Sequence, residues 1–112
     1  MAVVNQYKFY GVTLTTTAET TMFGASSPLA TETYIIKSFR VTNNTGNTPT
    51  ITIKNNAFAI ENAKSLSANA SVEILTLPLI VEGDTLLKVT MSSSDSVTIG
   101  ISYLNIKKEV TT

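Results

Sequence analysis

The chain has 112 residues, which suits one domain that can bury a core of its own without help from a metal or a disulfide. Eight basic and eight acidic residues cancel, so no long-range field favours nucleic acid or an anionic membrane as a partner. Cysteine and histidine are absent, which excludes thiol nucleophiles, most zinc sites and the commonest general base.

The surface is predicted to be poor in charge. Charged residues make up 14% of the chain, well below the share of about 25% in an average domain. Threonine, serine and asparagine take their place, and a net charge near zero removes one barrier to self-association. The N-terminus lacks the pattern of a signal peptide, and no apolar run approaches the ~20 residues of a membrane helix. We therefore expect a soluble protein made in the cytoplasm, without a membrane partner.

Alternating apolar residues, separated by turn residues, predict short strands along the whole chain. The predicted strands cover residues 7–14, 20–25, 33–43, 48–54, 57–60, 72–77, 86–91 and 96–106. Residues 1–6 form a mildly apolar arm, which either frays or docks on a neighbouring subunit, and residues 107–112 form a frayed tail. The pattern predicts one all-β domain over residues 1–112, an antiparallel β-sandwich of roughly seven to eight strands, with jelly-roll or immunoglobulin-like connections.

The first strand and the strand over residues 33–43 carry specific expectations. In the first, Tyr7 and Phe9 before Gly11, with Val12 and Leu14 after it, are predicted as packing residues, and the alternation slips at Gly11, which indicates a bulge. In the second, four alternating residues are predicted to face the core: Ile35, Lys37, Phe39 and Val41. Residues 43–47, rich in asparagine, predict a hairpin turn into the strand over residues 48–54.

Two later stretches are less regular. Residues 61–69 are predicted as a loop that crosses between the sheets. The strand over residues 72–77 is apolar on both faces, so we expect cover on both sides, followed by a bend at Pro78 and a turn at residues 82–84. Gly83 can supply the positive φ that such a turn often needs. In the last strand, the odd-numbered residues from Val97 to Tyr103 are predicted to form one face.

Few residues could carry chemistry. Glu82 and Asp84 could contribute to a site for a hard cation, but calcium needs about six to eight oxygens, and no second acidic cluster lies nearby in sequence. A solvated turn is the preferred interpretation. Glu73 lies in an apolar strand, where an edge position or pairing with a lysine is favoured over an acid of raised pKa. The sequence therefore predicts no catalytic, metal or cofactor site, and a protein that is not an enzyme.

The tyrosines allow two interpretations. The four of them could form an aromatic platform for a sugar ring: Tyr7, Tyr10, Tyr34 and Tyr103. The alternative is that they are core or interface residues at strand ends, where one edge of the ring is buried and the hydroxyl is wet. The sequence favours the second interpretation and leaves the first open.

Five segments, which together extend over nearly the whole chain, resemble small virion structural proteins of tailed bacteriophages. These segments are residues 7–12 (YKFYGV), 35–43 (IIKSFRVTN), 66–75 (LSANASVEIL), 83–89 (GDTLLKV) and 101–106 (ISYLNI). The resemblance implies an all-β module without catalytic activity that assembles by surface packing in many copies on a capsid or tail.

From this resemblance we expect a capsid decoration (cement) protein that stabilises the phage head by multivalent packing. Its partners would be copies of itself, with a trimer as one option, and the major capsid protein or another virion protein. The expected interface residues are Ala2, Val3, Val4, Tyr7, Phe9 and Tyr10. Three alternatives stay open: a tail- or fibre-associated module that binds host-surface carbohydrate, a subunit of a cellular fibre or appendage, and an enzyme.

Overall fold

The computed structural model describes residues 2–24, 28 and 31–109. Nine strands make up the regular structure of this part of the chain. They are β1 (Ala2–Leu14), β2 (Thr20–Thr21), β3 (Glu32–Asn43), β4 (Thr50–Asn55), β5 (Phe58–Ser65), β6 (Ser71–Glu73), β7 (Leu79–Val81), β8 (Leu87–Met91) and β9 (Val97–Glu109). None of the described residues belongs to a helix of the length and apolarity that crossing a membrane requires.

The strands form two antiparallel sheets. Sheet A has the order β1-β9-β3-β6, with β7 also paired to β3, and sheet B has the order β2-β8-β4-β5. The pairs are nested, because β1 pairs with β9, β2 with β8, β3 with β6 and β7, and β4 with β5. This is the arrangement of a long hairpin rolled up over two sheets, which is the jelly-roll topology. The predicted all-β antiparallel sandwich is confirmed, and its connections are those of a jelly roll.

The core lies between the two sheets. The last strand supplies its centre, where the predicted inward face is confirmed: Val97, Ile99 and Ile101 are fully buried and Tyr103 is 8% exposed. Sheet B contributes its own buried residues from the opposite side: Ile51, Ile53, Leu87, Val89 and Met91. Burial of one such side chain stabilises the fold by about 1.5–3 kcal/mol relative to exposure. A chain of this size therefore holds a two-layer core.

A bulge in β3 corrects the predicted face of that strand. Opposite β9 the register shifts between Ile36 and Ser38, so that Lys37 is an extra residue without a partner. The predicted core residues Phe39 and Val41 are buried, but on the other side of the bulge Tyr34 and Ile36 are buried instead of Ile35 and Lys37. Because side chains alternate, one extra residue exchanges the two faces of the strand.

The prediction for β1 is wrong for Tyr7 and Phe9 and is confirmed for Val12 and Leu14, which pack in or against the core. Its register with β9 runs without interruption from Ala2 to Leu14, so there is no bulge at Gly11. Tyr7 and Phe9 are 80% and 70% exposed, whereas the even-numbered Leu14 is buried in the core. The even-numbered residues of β1 face sheet B. Because β1 carries apolar residues on both faces, alternation alone does not show which face points to the core.

The two ends of the chain extend the same pair of strands. Residues 2–6, predicted as an arm, are part of β1 and pair with β9. Residues 107–109, predicted as part of a tail, belong to β9. Residues 1 and 110–112 lie outside the described residues. The two strands form a ribbon of thirteen residues each, and the molecule measures 54 × 21 × 20 Å.

The turn over residues 43–47 does not close a hairpin, because β3 belongs to sheet A and β4 to sheet B. Asn43, which is 1% exposed, holds this crossing with its side chain. Its Nδ2 donates to the carbonyl oxygens of Asn47 at 2.7 Å and Ser67 at 3.2 Å. Its Oδ1 accepts from the backbone nitrogen of Thr45 at 3.0 Å. The turn residues were recognised correctly, but local chemistry does not decide which sheet the next strand joins.

The remaining corrections concern strand lengths. β5 continues to Ser65 through two register shifts against β4, so the predicted crossing loop shrinks to residues 66–70. The strand predicted over residues 72–77 ends at Glu73, and Leu77 is 77% exposed instead of covered. Pairing to β3 resumes only after Pro78, where a prolyl nitrogen cannot donate to the ladder. In the turn at residues 82–84, the residue with a positive φ is Asp84, at 64°, instead of the predicted Gly83.

Candidate assembly surface

Apolar side chains cross the outer face of sheet A, the face turned away from sheet B. Tyr7 lies opposite Leu104, Leu104 lies opposite Ile35, and Ile35 lies opposite Ile80. Directly opposite residues share a face and lie about 4.5–5.5 Å apart, so these four side chains form one row across four strands. Tyr7 and Ile80 are 80% and 54% exposed, and the two residues between them are half-buried. We call these four residues the apolar row.

Phe9 lies beside the apolar row and is 70% exposed. Its ring covers two glycines, one on its own strand and one on β9. A Cβ atom at Gly11 would lie 3.1 Å from the ring, and one at Gly100 would lie 3.2 Å from it. The two glycines therefore give the ring a flat seat on the backbone, and Gly11 serves this contact instead of a bulge.

Two shallow depressions flank the Phe9 ring. The first has a volume of about 320 Å³, and its other lining residues are polar or small: Ser38, Arg40, Thr42, Thr98, Gly100 and Ser102. The second, about 440 Å³, lies towards Tyr7 and Lys37. The outer face of sheet A is thus broad and shallow, and it carries aromatic rings, hydroxyl groups and a few positively charged side chains. It offers area for contact more than an enclosed site for a reaction.

Glu73 holds the edge strand β6 of sheet A against β3. Its carboxylate accepts hydrogen bonds from the hydroxyl of Ser38, from the backbone nitrogen of Phe39 at 2.7 Å and from that of Leu75 at 3.2 Å. Burial raises the pKa of Glu73, but these hydrogen bonds and the charge of Arg40 outweigh it and hold the pKa below its ordinary value of 4.5. The group is therefore a carboxylate at neutral pH. It ties β6 to the bulged part of β3. The expected edge position is confirmed, because β6 is an end strand of sheet A, and the nearby charge that stabilises the carboxylate is that of Arg40 instead of a lysine.

The acidic turn at residues 82–84 is closed by its own backbone. Thr85 donates to the carbonyl oxygen of Glu82 from its nitrogen at 3.2 Å and from its hydroxyl at 2.7 Å. Among the described residues, no group of three or more acidic side chains is placed to hold a metal ion. This geometry is that of a solvated turn.

The four tyrosines do not share one surface. Three of them surround Phe23 at one end of the core, with ring centroids 4.7–5.1 Å from it: Tyr10, Tyr34 and Tyr103. The pKa of Tyr103 is raised, chiefly by burial and to a smaller extent by the electrostatic effect of the neighbouring Tyr34 and Glu32. Tyr7 alone among the tyrosines is widely exposed, on the outer face. A sugar platform built from all four is therefore absent from this fold.

The predicted interface residues lie on one strand but on two faces. Tyr7 and Phe9 are on the outer face, while Tyr10 is half-buried on the other side against Phe23. Ala2, Val3 and Val4 begin β1 opposite the end of β9. Sequence reasoning missed Ile35, Ile80 and Leu104 as neighbours of Tyr7. Alternation in the last strand places Leu104 on its outward face, but which residues flank Leu104 depends on how the strands pair.

The sequence matches no protein-family model, and no curated protein is a significant match for it. Solved structures with a similar fold include two chains from other proteins. One is a chain from Bacillus endospore appendages, described as disulfide-linked pili, with a TM-score of 0.52 and 11% identity over 96% of this chain and 89% of that one. The other comes from the virus-like particle of the extra small virus of the giant freshwater prawn Macrobrachium rosenbergii. It has a TM-score of 0.54 and 13% identity over 98% of this chain and 82% of that one.

Proposed function

We propose that this chain is a non-enzymatic structural protein of a phage particle, a decoration protein that binds the head through the outer face of sheet A. The observation that carries the proposal is the exposed apolar row, together with Phe9 on its seat of two glycines. Contiguous apolar surface on a soluble domain marks a contact with another protein. The flat, shallow shape of this face suits packing against a shell.

The energetics favour attachment in many copies. Burial of one aromatic side chain is worth about 1.5–3 kcal/mol, so Tyr7 and Phe9 together give one molecule only a modest affinity. Linked copies make later contacts effectively intramolecular, which raises the overall binding strength without new contacts. Because the chain has no cysteine, copies of it would associate without disulfide bonds.

Two further observations support a role in a particle. The sequence resembles small virion proteins of tailed phages, and the fold is similar to that of a chain in a virus-like particle. The likeness to a chain from endospore appendages supports the coarser proposal of a subunit that works in an assembly. The capsid as the docking site and the major capsid protein as the partner follow from the phage resemblance.

The test is a binding measurement on phage heads prepared without this protein. Purified protein is added, and the bound copies per head are counted for wild type and for the double variant Tyr7→Ser/Phe9→Ser. We expect at least a tenfold loss of affinity, because each aromatic ring contributes more than the ~1.4 kcal/mol that corresponds to tenfold. Phe58→Ser is the control for the loss of an exposed ring: Phe58 is 74% exposed on sheet B, beside Ile80 at the far end of the apolar row, and its loss should lower the affinity less than the double variant does. Equal binding by the double variant and the wild type would contradict the proposal.

The beginning of β1 is proposed as a second part of the same interface. Ala2, Val3 and Val4 form an apolar start to a strand whose outer face carries Tyr7 and Phe9. The double variant Val3→Ser/Val4→Ser should also lower the number of bound copies in the assay on phage heads. Unchanged binding would restrict the interface to the apolar row and Phe9.

A carbohydrate-binding module is the second candidate function. One observation favours it: the exposed Phe9 ring stands beside a depression lined by Arg40 and several hydroxyls, a combination that can stack on and hydrogen-bond to a sugar. A glycan array decides between the two functions. Specific binding that Phe9→Ser abolishes would favour the carbohydrate module, and the absence of binding would favour the decoration protein.

A further inference from the structure

Sheet edges differ in how well they are protected against pairing with another chain. Native proteins protect edges with short strands, bulges, prolines and charges. Here β2 has two residues, and β5 carries two register shifts together with Glu61 and Lys64. On the far side of β3 the edge is divided between β6 and β7, three residues each, with Pro78 between them. Three of the four edges are therefore blunted.

The remaining edge, β1, has none of these features apart from one charge. It extends over thirteen residues from Ala2 to Leu14, contains no proline and keeps an unbroken register with β9. Lys8 is its only charged residue. Among the described residues, β1 pairs with β9 alone, so its other side presents a long row of backbone donors and acceptors. Such an edge is a template for a further strand.

We propose that β1 pairs antiparallel with β1 of a second copy of this chain, about a two-fold axis at Phe9. The occupant follows from the comparison of the edges. Within the described part of the chain, a second copy has no other unpaired edge of matching length and regularity, whereas β1 is complementary to itself when it runs antiparallel. The pairing rests on the proposed function in one respect, because it names the contact between copies of an assembling subunit.

The charge on Lys8 excludes the register in which the pairing would be longest. A two-fold axis at Lys8 would pair all of β1 but would place Lys8 directly opposite Lys8, and like charges there are destabilising. A shift of the axis by one residue in either direction separates the two lysines: an axis at Tyr7 would pair residues 2–12, and an axis at Phe9 pairs residues 4–14. We place the axis at Phe9, where Lys8 lies opposite Tyr10 and the two exposed Phe9 rings lie opposite each other.

The proposed strand pairing places the outer faces of sheet A of the two copies side by side. A two-fold axis through an antiparallel strand pair is perpendicular to the sheet, so both copies turn the same face in the same direction. The two copies of sheet B then lie on one side, and the two apolar rows meet on the other side around the central pair of Phe9 rings. One dimer would offer a shell twice the apolar area of a monomer, which is the condition for multivalent binding.

Engineered cysteines test the pairing, since the chain has none of its own. Asn5 and Thr13 are both exposed, and in this register Asn5 of one copy lies opposite Thr13 of the other. Directly opposite Cα atoms are about 4.5–5.5 Å apart, within the range of about 4.4–6.8 Å that a disulfide spans. Purified Asn5→Cys and Thr13→Cys proteins, mixed in equal amounts and oxidised mildly, should give a mixed disulfide-linked dimer on a non-reducing gel.

Each variant alone is the matched control. Like residues of the two copies lie eight residues apart along the strand pair, about 27 Å, so neither variant should cross-link to itself. Failure of the mixture to cross-link, with both variants folded by circular dichroism, would overturn the proposal, and so would equal cross-linking of either variant alone. The experiment uses no phage heads. If cross-linking fails while binding to heads persists, the strand pairing is wrong and the proposed function stands.

Discussion

Single polar side chains decide where the sheets of this protein change direction. Asn43 satisfies three backbone groups and so fixes the passage from sheet A to sheet B. The carboxylate of Glu73 accepts hydrogen bonds from the bulged part of β3 and from the residues after β6. The sequence marks Asn43 as a turn residue and Glu73 as an acid in an apolar strand, for which an edge position is favoured. Their roles could not be predicted, because the partners of Asn43 and Glu73 come from segments distant in sequence.

Glu73 should give the protein part of its sensitivity to acid. Its pKa is lower in the folded protein than its ordinary value of 4.5, so its contribution to stability is complete above about pH 4.5 and is lost as the pH falls through the folded pKa. We expect Glu73→Gln to lose less free energy of unfolding than the wild type between neutral pH and a pH of about 3. Urea unfolding at the two pH values measures this difference.

Some sensitivity should remain in the Glu73 variant, because hydrogen bonds from Ser93 and Asn47 also lower the pKa of Asp95. Glu82→Gln, a change at an exposed glutamate in the acidic turn, is the matched control for the loss of one carboxylate. An unchanged pH dependence in Glu73→Gln would show that the carboxylate is not held as described.

At the level of elements, the sequence predicted the all-β class, most strand positions and the inward face of β9, because alternation over a long strand is a strong signal. The prediction failed where the same residues are compatible with either face of a strand pointing to the core. Ile35 and Ile36 are both apolar, so alternation could not reveal the bulge at Lys37. Tyr7 and Tyr10 are both aromatic, so either face of β1 could have been the core side. Which sheet a strand joins depends on pairing across the whole chain, and no local pattern carries that information.

The bulge makes a specific prediction about deletions in β3. Removal of Lys37 takes out the one residue without a partner, so both halves of the strand keep their register and their inward faces. Removal of Arg40 instead brings Phe39 and Val41 next to each other, and alternation prevents both from facing the core. We expect the Lys37 deletion to fold with a reduced melting temperature and the Arg40 deletion to fail to fold. Equal damage from the two deletions, measured by thermal unfolding, would contradict the assignment of the bulge.

The whole molecule is an elongated slab, 54 Å in its longest direction, with one face of sheet A uncovered. Sequence reasoning selected Tyr7 and Phe9 for an interface and predicted the wrong face for them. It could not find the rest of the apolar row, because Leu104, Ile35 and Ile80 become neighbours of Tyr7 only when four strands pair. The site is thus a product of topology.

The orientation of the protein on a phage head tests the central claim most directly. Cryo-electron microscopy of heads carrying the bound protein would show which face meets the shell. We expect Tyr7 and Phe9 to lie in the contact and the outer face of sheet B to point to solvent. A reconstruction in which sheet B meets the shell and the outer face of sheet A is bare would contradict this expectation.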